Sequence, residues 1–263
     1  MSRKLTVHLL PSLFEPSHLV GGIAVVIDVL RATTTIAYAL ENGARSIIPC
    51  ASIEEAIAQR NLKSKSSKPL ETSGGLLLGG ERGGEPIDGF DLSNSPSEWS
   101  HAAVADREIA FTTTNGTHAL LRSAWADQVI TGAFANLQAV VDFIQRSRQP
   151  IHLVCAGTVG KVSTEDCLFA GAVIDRLLNE SPPADGSADG PFELGDAARL
   201  VLSHWKMASD SPDGLFQAMK AGSGGGNLMR LGLEADIRMA AMLDQVDLVP
   251  EYLPQSRRIC RAT

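Results

Sequence analysis

The chain reads as an α/β protein of three layers, a largely parallel or mixed central sheet with helices on both faces. Three observations predict this. Short apolar runs that suit strands, such as Ile23–Ile27 and Ile151–Cys155, alternate with segments of helical periodicity. Ile23–Ile27 is continuously apolar and Ile151–Cys155 is apolar but for His152, as expected of strands covered on both faces. At 263 residues, 44% hydrophobic and 20% charged, the chain has the length and composition of an ordinary globular domain.

Leu5 to Leu10 suits a first strand and Ile23 to Asp28 a second. Thr33 to Glu41 has helical periodicity, and Asn42-Gly43 is a natural stop. Ser46 to Pro49 is a short strand. Ser52 caps a helix to about Asn61, with Glu55 at the capping-box position. Asn61 to Lys68, rich in Lys and Ser, reads as exposed loop. Leu76 to Leu78 leads into the glycine-dense segment 79–84, which implies unusual backbone or close approach to a ligand. Ser95-Pro96-Ser97-Glu98 is a helix start.

Glu108 to Phe111 is a strand, Asn115 to Ser123 a helix, Gln128 to Ile130 a strand, and Asn136 caps a helix to about Arg146. Ile151 to Cys155 precedes a glycine-containing turn, and Ser163 to Asp166 opens a helix to about Asn179. Ser181 to Gly190 has the composition of a flexible loop before a mainly helical C-terminal part. There, 192–206, 213–221 and 227–243 read as helices and Val246 to Val249 as a last strand. A single domain over 1–263 is expected.

The net charge of −7 argues against general nucleic-acid binding, which wants a basic face, but leaves room for an anionic substrate held by local cations. No signal peptide or membrane span is apparent. The four cysteines are far apart and form no CxxC, so a reducing cytoplasm is expected, with Cys155 and Cys167 as core residues. The six histidines form no zinc-binding spacing, and His118 alone lies near a candidate segment.

Four segments combine reactive side chains with special backbone: 28–35, 81–95, 112–117 and 155–166. Three begin near the end of an expected strand, so they can converge on one crevice at the carboxyl edge of a sheet. Asp28 has two readings, a structural cap or partner of Arg31, and a metal ligand or nucleophile. Arg31 reads as a bidentate phosphate ligand or as a surface residue. Glu81, Arg82, Asp91, Asn94 and Ser95 belong to a loop that lines a site or is merely solvated. Thr113, Thr114, Asn115 and Gly116 supply hydroxyls and N–H groups suited to phosphate or sulfonate, or form a strand-end turn. Gly157 to Ser163 fails the P-loop spacing, which disfavours a nucleoside triphosphatase. Glu165 and Asp166 stand in the first turn of a helix, where acids are stabilised anyway; catalysis or metal binding requires one of them to point into the crevice.

Together these stretches resemble the 2-phosphosulfolactate phosphatases of coenzyme M biosynthesis. The matching residues are Val25–Thr35, Gly80–Glu85 with Gly89–Pro96, Thr112–Thr117, Cys155-Ala-Gly with Ser163–Asp166, and Gly232–Pro250 with Asp236. Ser93 stands where the family pattern has glycine, and Gly222–Asn227 is richer in glycine and poorer in arginine.

The resemblance implies a phosphoric monoester hydrolase, dependent on Mg²⁺, releasing phosphate from (R)-2-phospho-3-sulfolactate to give 3-sulfolactate. On that basis Asp28, Arg31, Glu165 and Asp166 are expected to be catalytic. Mg²⁺ ligands are sought among Asp28, Glu81, Asp91 and Asp166. Arg82, Asn94, Ser95, Thr113, Thr114, Asn115 and Gly116 are expected to bind substrate. The alternatives are another small 2-phospho-acid as substrate, or a non-catalytic binder of small anions. A homodimer is a common assembly for compact enzymes of this size.

Overall fold

Strand β2 (Ile23–Ile27) is buried along its whole length and shows how the layers form. Its alternate side chains point to opposite faces. Ile23, Val25 and Ile27 enter one hydrophobic core, Ala24 and Val26 another. Each core is closed by a helical layer. The computed structural model describes residues 3–66, 75–179 and 192–262.

The other strands are β1 (Lys4–His8), β3 (Ser46–Pro49), β4 (Leu77–Arg82), β5 (Glu85–Pro86), β6 (Glu108–Thr112), β7 (Gln128–Gly132), β8 (Ile151–Cys155), β9 (Glu193–Leu194), β10 (Pro250–Leu253) and β11 (Arg258–Arg261). The helices are α1 (Ala32–Glu41), α2 (Ile53–Ser66), α3 (His101–Val104), α4 (Gly116–Arg122), α5 (Leu137–Gln145), α6 (Thr164–Asn179), α7 (Asp196–Ser209), α8 (Gly214–Ala221), α9 (Ser223–Arg230) and α10 (Glu234–Ala240). One mixed sheet runs β5-β4-β6-β3-β11-β10-β7-β2-β8-β1-β9. The first core gathers residues of α5 to α10, the second those of α1, α3 and α4, giving the three-layer α/β architecture. A small third core joins α2 to β3, β4 and β6.

Two parallel blocks make up most of the sheet. β7, β2, β8 and β1 pair in parallel, as do β3, β6 and β4. The antiparallel pair β10–β11 lies between them, antiparallel to β7 on one side and to β3 on the other. The blocks therefore run in opposite senses along the ladder. Five strand steps separate β6 from β2. At roughly 20–25° of twist per step, the accumulated rotation is on the order of 100°. The carboxyl ends of the two blocks are brought together at one crevice although the blocks run in opposite senses.

The structure departs from the sequence reading in five places. Helix α2 continues to Ser66, so residues 61–66 are not loop. Ser95-Pro96 starts only a short 3₁₀ turn, Pro96–Glu98, followed by α3. Residue 193 begins a strand rather than a helix, because Glu193–Leu194 adds to the edge of β1. The segment 227–243 is two helices broken around Gly232, whose φ of +74° ends α9, and α9 itself starts earlier, at Ser223. Residues 246–249 are not a strand; the last strands are β10 and β11. The Ser52–Glu55 capping box forms as expected, with Glu55 N donating to Ser52 Oγ at 3.2 Å and Ala51 N to Glu55 Oε2 at 2.7 Å. The loop expected at 181–190 lies outside the described residues. Among the described residues, no helix is long and apolar enough to cross a membrane.

Candidate active site

A crevice of about 350 Å³ opens where the carboxyl ends of β2, β4, β6 and β8 meet. Its lining includes Asp28, Arg31, Glu81, Asn94, Thr114 and Asn115 from the expected segments. It also includes Gly83, Gly84, Thr158, Ser223, Gly224, Asn227 and Arg230. The convergence inferred from strand-end segments is thus present, between two opposed blocks rather than along one parallel edge.

Four buried carboxylates stand in or beside this crevice and differ in their partners. Glu81, at the end of β4, accepts N–H bonds from Thr114 at 2.7 Å and Gly84 at 2.6 Å, and a hydroxyl bond from Thr114 at 3.1 Å. It ties the glycine-rich turn after β4 to the threonine turn after β6. Asp166, in the first turn of α6, accepts from Val29 N at 3.0 Å and Gly157 N at 2.9 Å. It joins the turns that leave β2 and β8. Burial raises its pKa to about 6, a rise that these backbone donors limit.

Asp28 follows the last residue of β2 and is 6% exposed. Among the described residues it forms no ion pair. Its pKa is raised well above the ordinary value by burial first, then by Asp166, Glu81 and Glu165. The chain approaches it closely: a Cβ on Gly116 would stand 2.6 Å from Asp28 Oδ2. Glu165 is 1% exposed, and its Oε2 has no hydrogen-bond partner. Burial, and then Asp166, pushes its pKa up to about 8. It sits behind the start of α9, where a Cβ on Gly224 would lie 2.2 Å from Glu165 Oε1. Side chains at 224 would displace the carboxylate, which accounts for glycine in this helix.

Among the described residues, no three carboxylate, histidine or cysteine side chains stand close enough to cage a metal. A hard dication that keeps several waters needs only one or two carboxylates beside substrate oxygens. The under-partnered Asp28 and Glu165 match that requirement. So does Asn94, 2% exposed, whose buried Oδ1 has no partner although the residue lines the crevice. Glu81 and Asp166 have their oxygens engaged by backbone and serve mainly to hold loops.

The remaining expected residues divide. Arg31 is 3% exposed and committed: Nη1 pairs with Asp236 Oδ2 at 2.6 Å and Nη2 donates to Gly84 O at 2.7 Å. Ser95 donates to Asp236 Oδ1 at 2.7 Å, so Arg31, Asp236 and Ser95 form one buried knot under the crevice. Arg82 donates to Glu81 O and Thr112 Oγ1 and is outside the lining. Thr113 exchanges bonds with Thr117 and faces a small internal cavity instead. Asn115 accepts from Val159 N at 3.1 Å, fixing one rim. Asp91 does not join the metal candidates. It pairs with Arg60 at 3.1 Å on the surface and accepts from Leu78 N at 2.8 Å. His118 is exposed and outside the lining. Cys155 and Cys167 are buried core residues, as expected.

Sequence reading missed Asn227 and Arg230. Three consecutive glycines before them weigh against helix, yet α9 forms, and the i, i+3 spacing places both side chains on the crevice side.

The profile of the family described as 2-phosphosulpholactate phosphatase matches residues 8–254. A relative from Deinococcus radiodurans, named probable 2-phosphosulfolactate phosphatase, is 39% identical over 95% of this chain and 94% of its own. Proteins of the same name from Caldanaerobacter subterraneus subsp. tengcongensis and Thermotoga maritima are 39% and 36% identical, each over 86% of this chain, and over 86% and 87% of their own. The match runs through every segment that builds the crevice, and the chain belongs to the 2-phosphosulpholactate phosphatase family of phosphoric monoester hydrolases.

Proposed function

We propose that this chain is a Mg²⁺-dependent phosphatase that hydrolyses 2-phospho-3-sulfolactate to 3-sulfolactate and phosphate. The observation that carries the reading is the buried Asp28 carboxylate, which lines the crevice and has no counter-charge among the described residues, in a chain of this family. Phosphoryl transfer is accelerated mainly by positioning and by charge neutralisation on the equatorial oxygens. Bound Mg²⁺ supplies that neutralisation, and Asp28 and Glu165 are the residues that would hold it.

The rest of the work falls to the chain. Asp28 is fixed in place by β2 and by the close approach of Gly116, so its carboxylate is aimed before substrate arrives. Burial and the neighbouring Asp166 push the pKa of the Glu165 carboxyl up to about 8, and bound positive charge would favour its ionised form. Thr114 and Asn115 offer polar groups on the wall that Glu81 braces. The proposed setting is the cytoplasm, where the product would serve coenzyme M biosynthesis.

The test is phosphate release from 2-phosphosulfolactate with and without Mg²⁺. Turnover that requires Mg²⁺ and disappears on chelation is expected. Equal turnover in the chelated enzyme would remove the metal from the proposal, and no release from a panel of 2-phospho-acids would remove the activity.

A further inference from the structure

The proposed substrate carries a phosphate, a carboxylate and a sulfonate, while the crevice that would receive it is rich in acids. Two arginines line that crevice, and they are in opposite states. Arg31 is buried, and its charge is balanced by Asp236 at 2.6 Å. Arg230 is exposed on the crevice side of α9 and, among the described residues, forms no ion pair. Its hydrogen bond runs from Nη2 to Asn227 Oδ1 at 2.9 Å.

That bond belongs to a chain that crosses the crevice. Asn227 Nδ2 donates to Gly83 O at 3.0 Å, in the turn after β4. Glycine leaves room for this contact, since a Cβ on Gly84 would stand 2.8 Å from Asn227 Nδ2 and push the amide aside. The same Gly84 carbonyl takes the second arm of Arg31. Asn227 is therefore pinned between α9 and the opposite wall, and it holds the Arg230 guanidinium in one place. A planar fork of donors, unneutralised and held in position, suits a tetrahedral oxyanion with several acceptor oxygens.

We propose that Arg230 is the specificity-determining cation for the sulfonate of the substrate, and that Asn227 is its positioning residue. The phosphate is assigned to the Asp28 side of the crevice and the sulfonate to the α9 side. This assignment rests on the phosphatase reading above.

The experiment compares 2-phosphosulfolactate with 2-phospholactate, which lacks the sulfonate, in the wild type, Arg230→Ala, Arg230→Gln, Arg230→Lys and Asn227→Ala. Arg230→Ala and Arg230→Gln should raise KM for 2-phosphosulfolactate by roughly 10- to 100-fold, the loss of a charge-assisted pair, with kcat within about threefold. The kcat/KM for 2-phospholactate should stay at its wild-type value in both. Arg230→Lys should restore part of the loss, and Asn227→Ala should raise KM selectively but less. Because Arg230 is exposed, unchanged melting temperatures are expected and serve as the folding control. Loss on both substrates alike, or no loss on either, overturns the assignment while leaving the phosphatase reading intact. A wild type that turns over neither substrate overturns the phosphatase reading itself, and the assignment falls with it.

Discussion

Glu81 and Asp166 on one hand, and Asp28 and Glu165 on the other, are buried carboxylates of the same crevice put to opposite uses. The first two are surrounded by backbone N–H donors from turns that would otherwise drift apart. Their charge is spent on architecture. The second two are less engaged: Asp28 accepts from the backbone N–H of Ala32 and forms no ion pair among the described residues, Glu165 Oε2 has no hydrogen-bond partner, and burial raises the pKa of both. A buried acid without a counter-charge is costly. Its presence at a strand end, beside acids whose bonds are satisfied, marks the place where an outside cation completes the structure. Type and depth of burial do not separate the pairs; the geometry of the surrounding backbone does.

The sharpest way to break this comparison is to exchange the expected outcomes. Asp28→Asn should lower turnover by at least about a thousandfold, the scale of a transition-state interaction worth some 4 kcal/mol. Its melting temperature should hold or rise, because one member of a repelling acid cluster is gone. Near-normal turnover in a folded Asp28→Asn enzyme would place Asp28 with the architectural group.

Asp236→Ala should behave in the reverse manner. It leaves Arg31 buried without its counter-charge, a change that costs about 3–5 kcal/mol, and chemical denaturation should report a loss of that order. Glu81→Ala comes next. It strands the N–H groups of Thr114 and Gly84, at about 1–3 kcal/mol for each that stays dry, and should lower stability more than it lowers kcat at saturating substrate. A stability equal to that of the wild type would show that Glu81 is not a brace.

The smallest effect concerns a pair of buried titratable rings that satisfy each other. His8 Nε2 and His152 Nδ1 are 3.2 Å apart, and burial holds the pKa of each near 4, below the ordinary 6.5. The unfolded chain binds protons more readily there, so stability should fall as pH drops from about 6.5 towards 4 and level off below. Urea midpoints across that window should show the slope, and His152→Phe should flatten it. A slope unchanged by that substitution would assign the acid sensitivity to other groups.

Much of the site was legible in the sequence because strands covered on both faces are written as near-continuous apolar runs. Ile23–Ile27 announces itself, with Asp28 directly after it; Ile151–Cys155 is interrupted only by His152, and Asp166 is marked by the helix start at Ser163–Asp166. Commitments between distant residues were not legible. Arg31 looks like an anion ligand until Asp236, 205 positions away, is found against it. Asp91 looks like its neighbours in a polar loop until Arg60 claims it. Strand β11 carries Arg258 and Arg261 and follows a turn without glycine, in which Arg257 itself takes φ +53°, so neither turn chemistry nor apolar runs reveal it. The first half of helix α9, 223–226, was hidden by its glycines, which lower helix propensity yet are required by packing. A Cβ on Gly225 would meet Met219 O at 2.1 Å.

The place of β10 and β11 bears on how the protein is made. The centre of the sheet, between β7 and β3, is filled by residues 250–261, the last of the sheet to leave the ribosome. Until they arrive, two half-sheets face each other with bare backbone edges and the crevice has no fixed width. Non-local pairing of this kind is slow and leaves sticky edges exposed. Assembly of the cleft is thus tied to the arrival of residues 250–261: a nascent chain stalled before residue 250 would carry most of the crevice residues and no formed crevice.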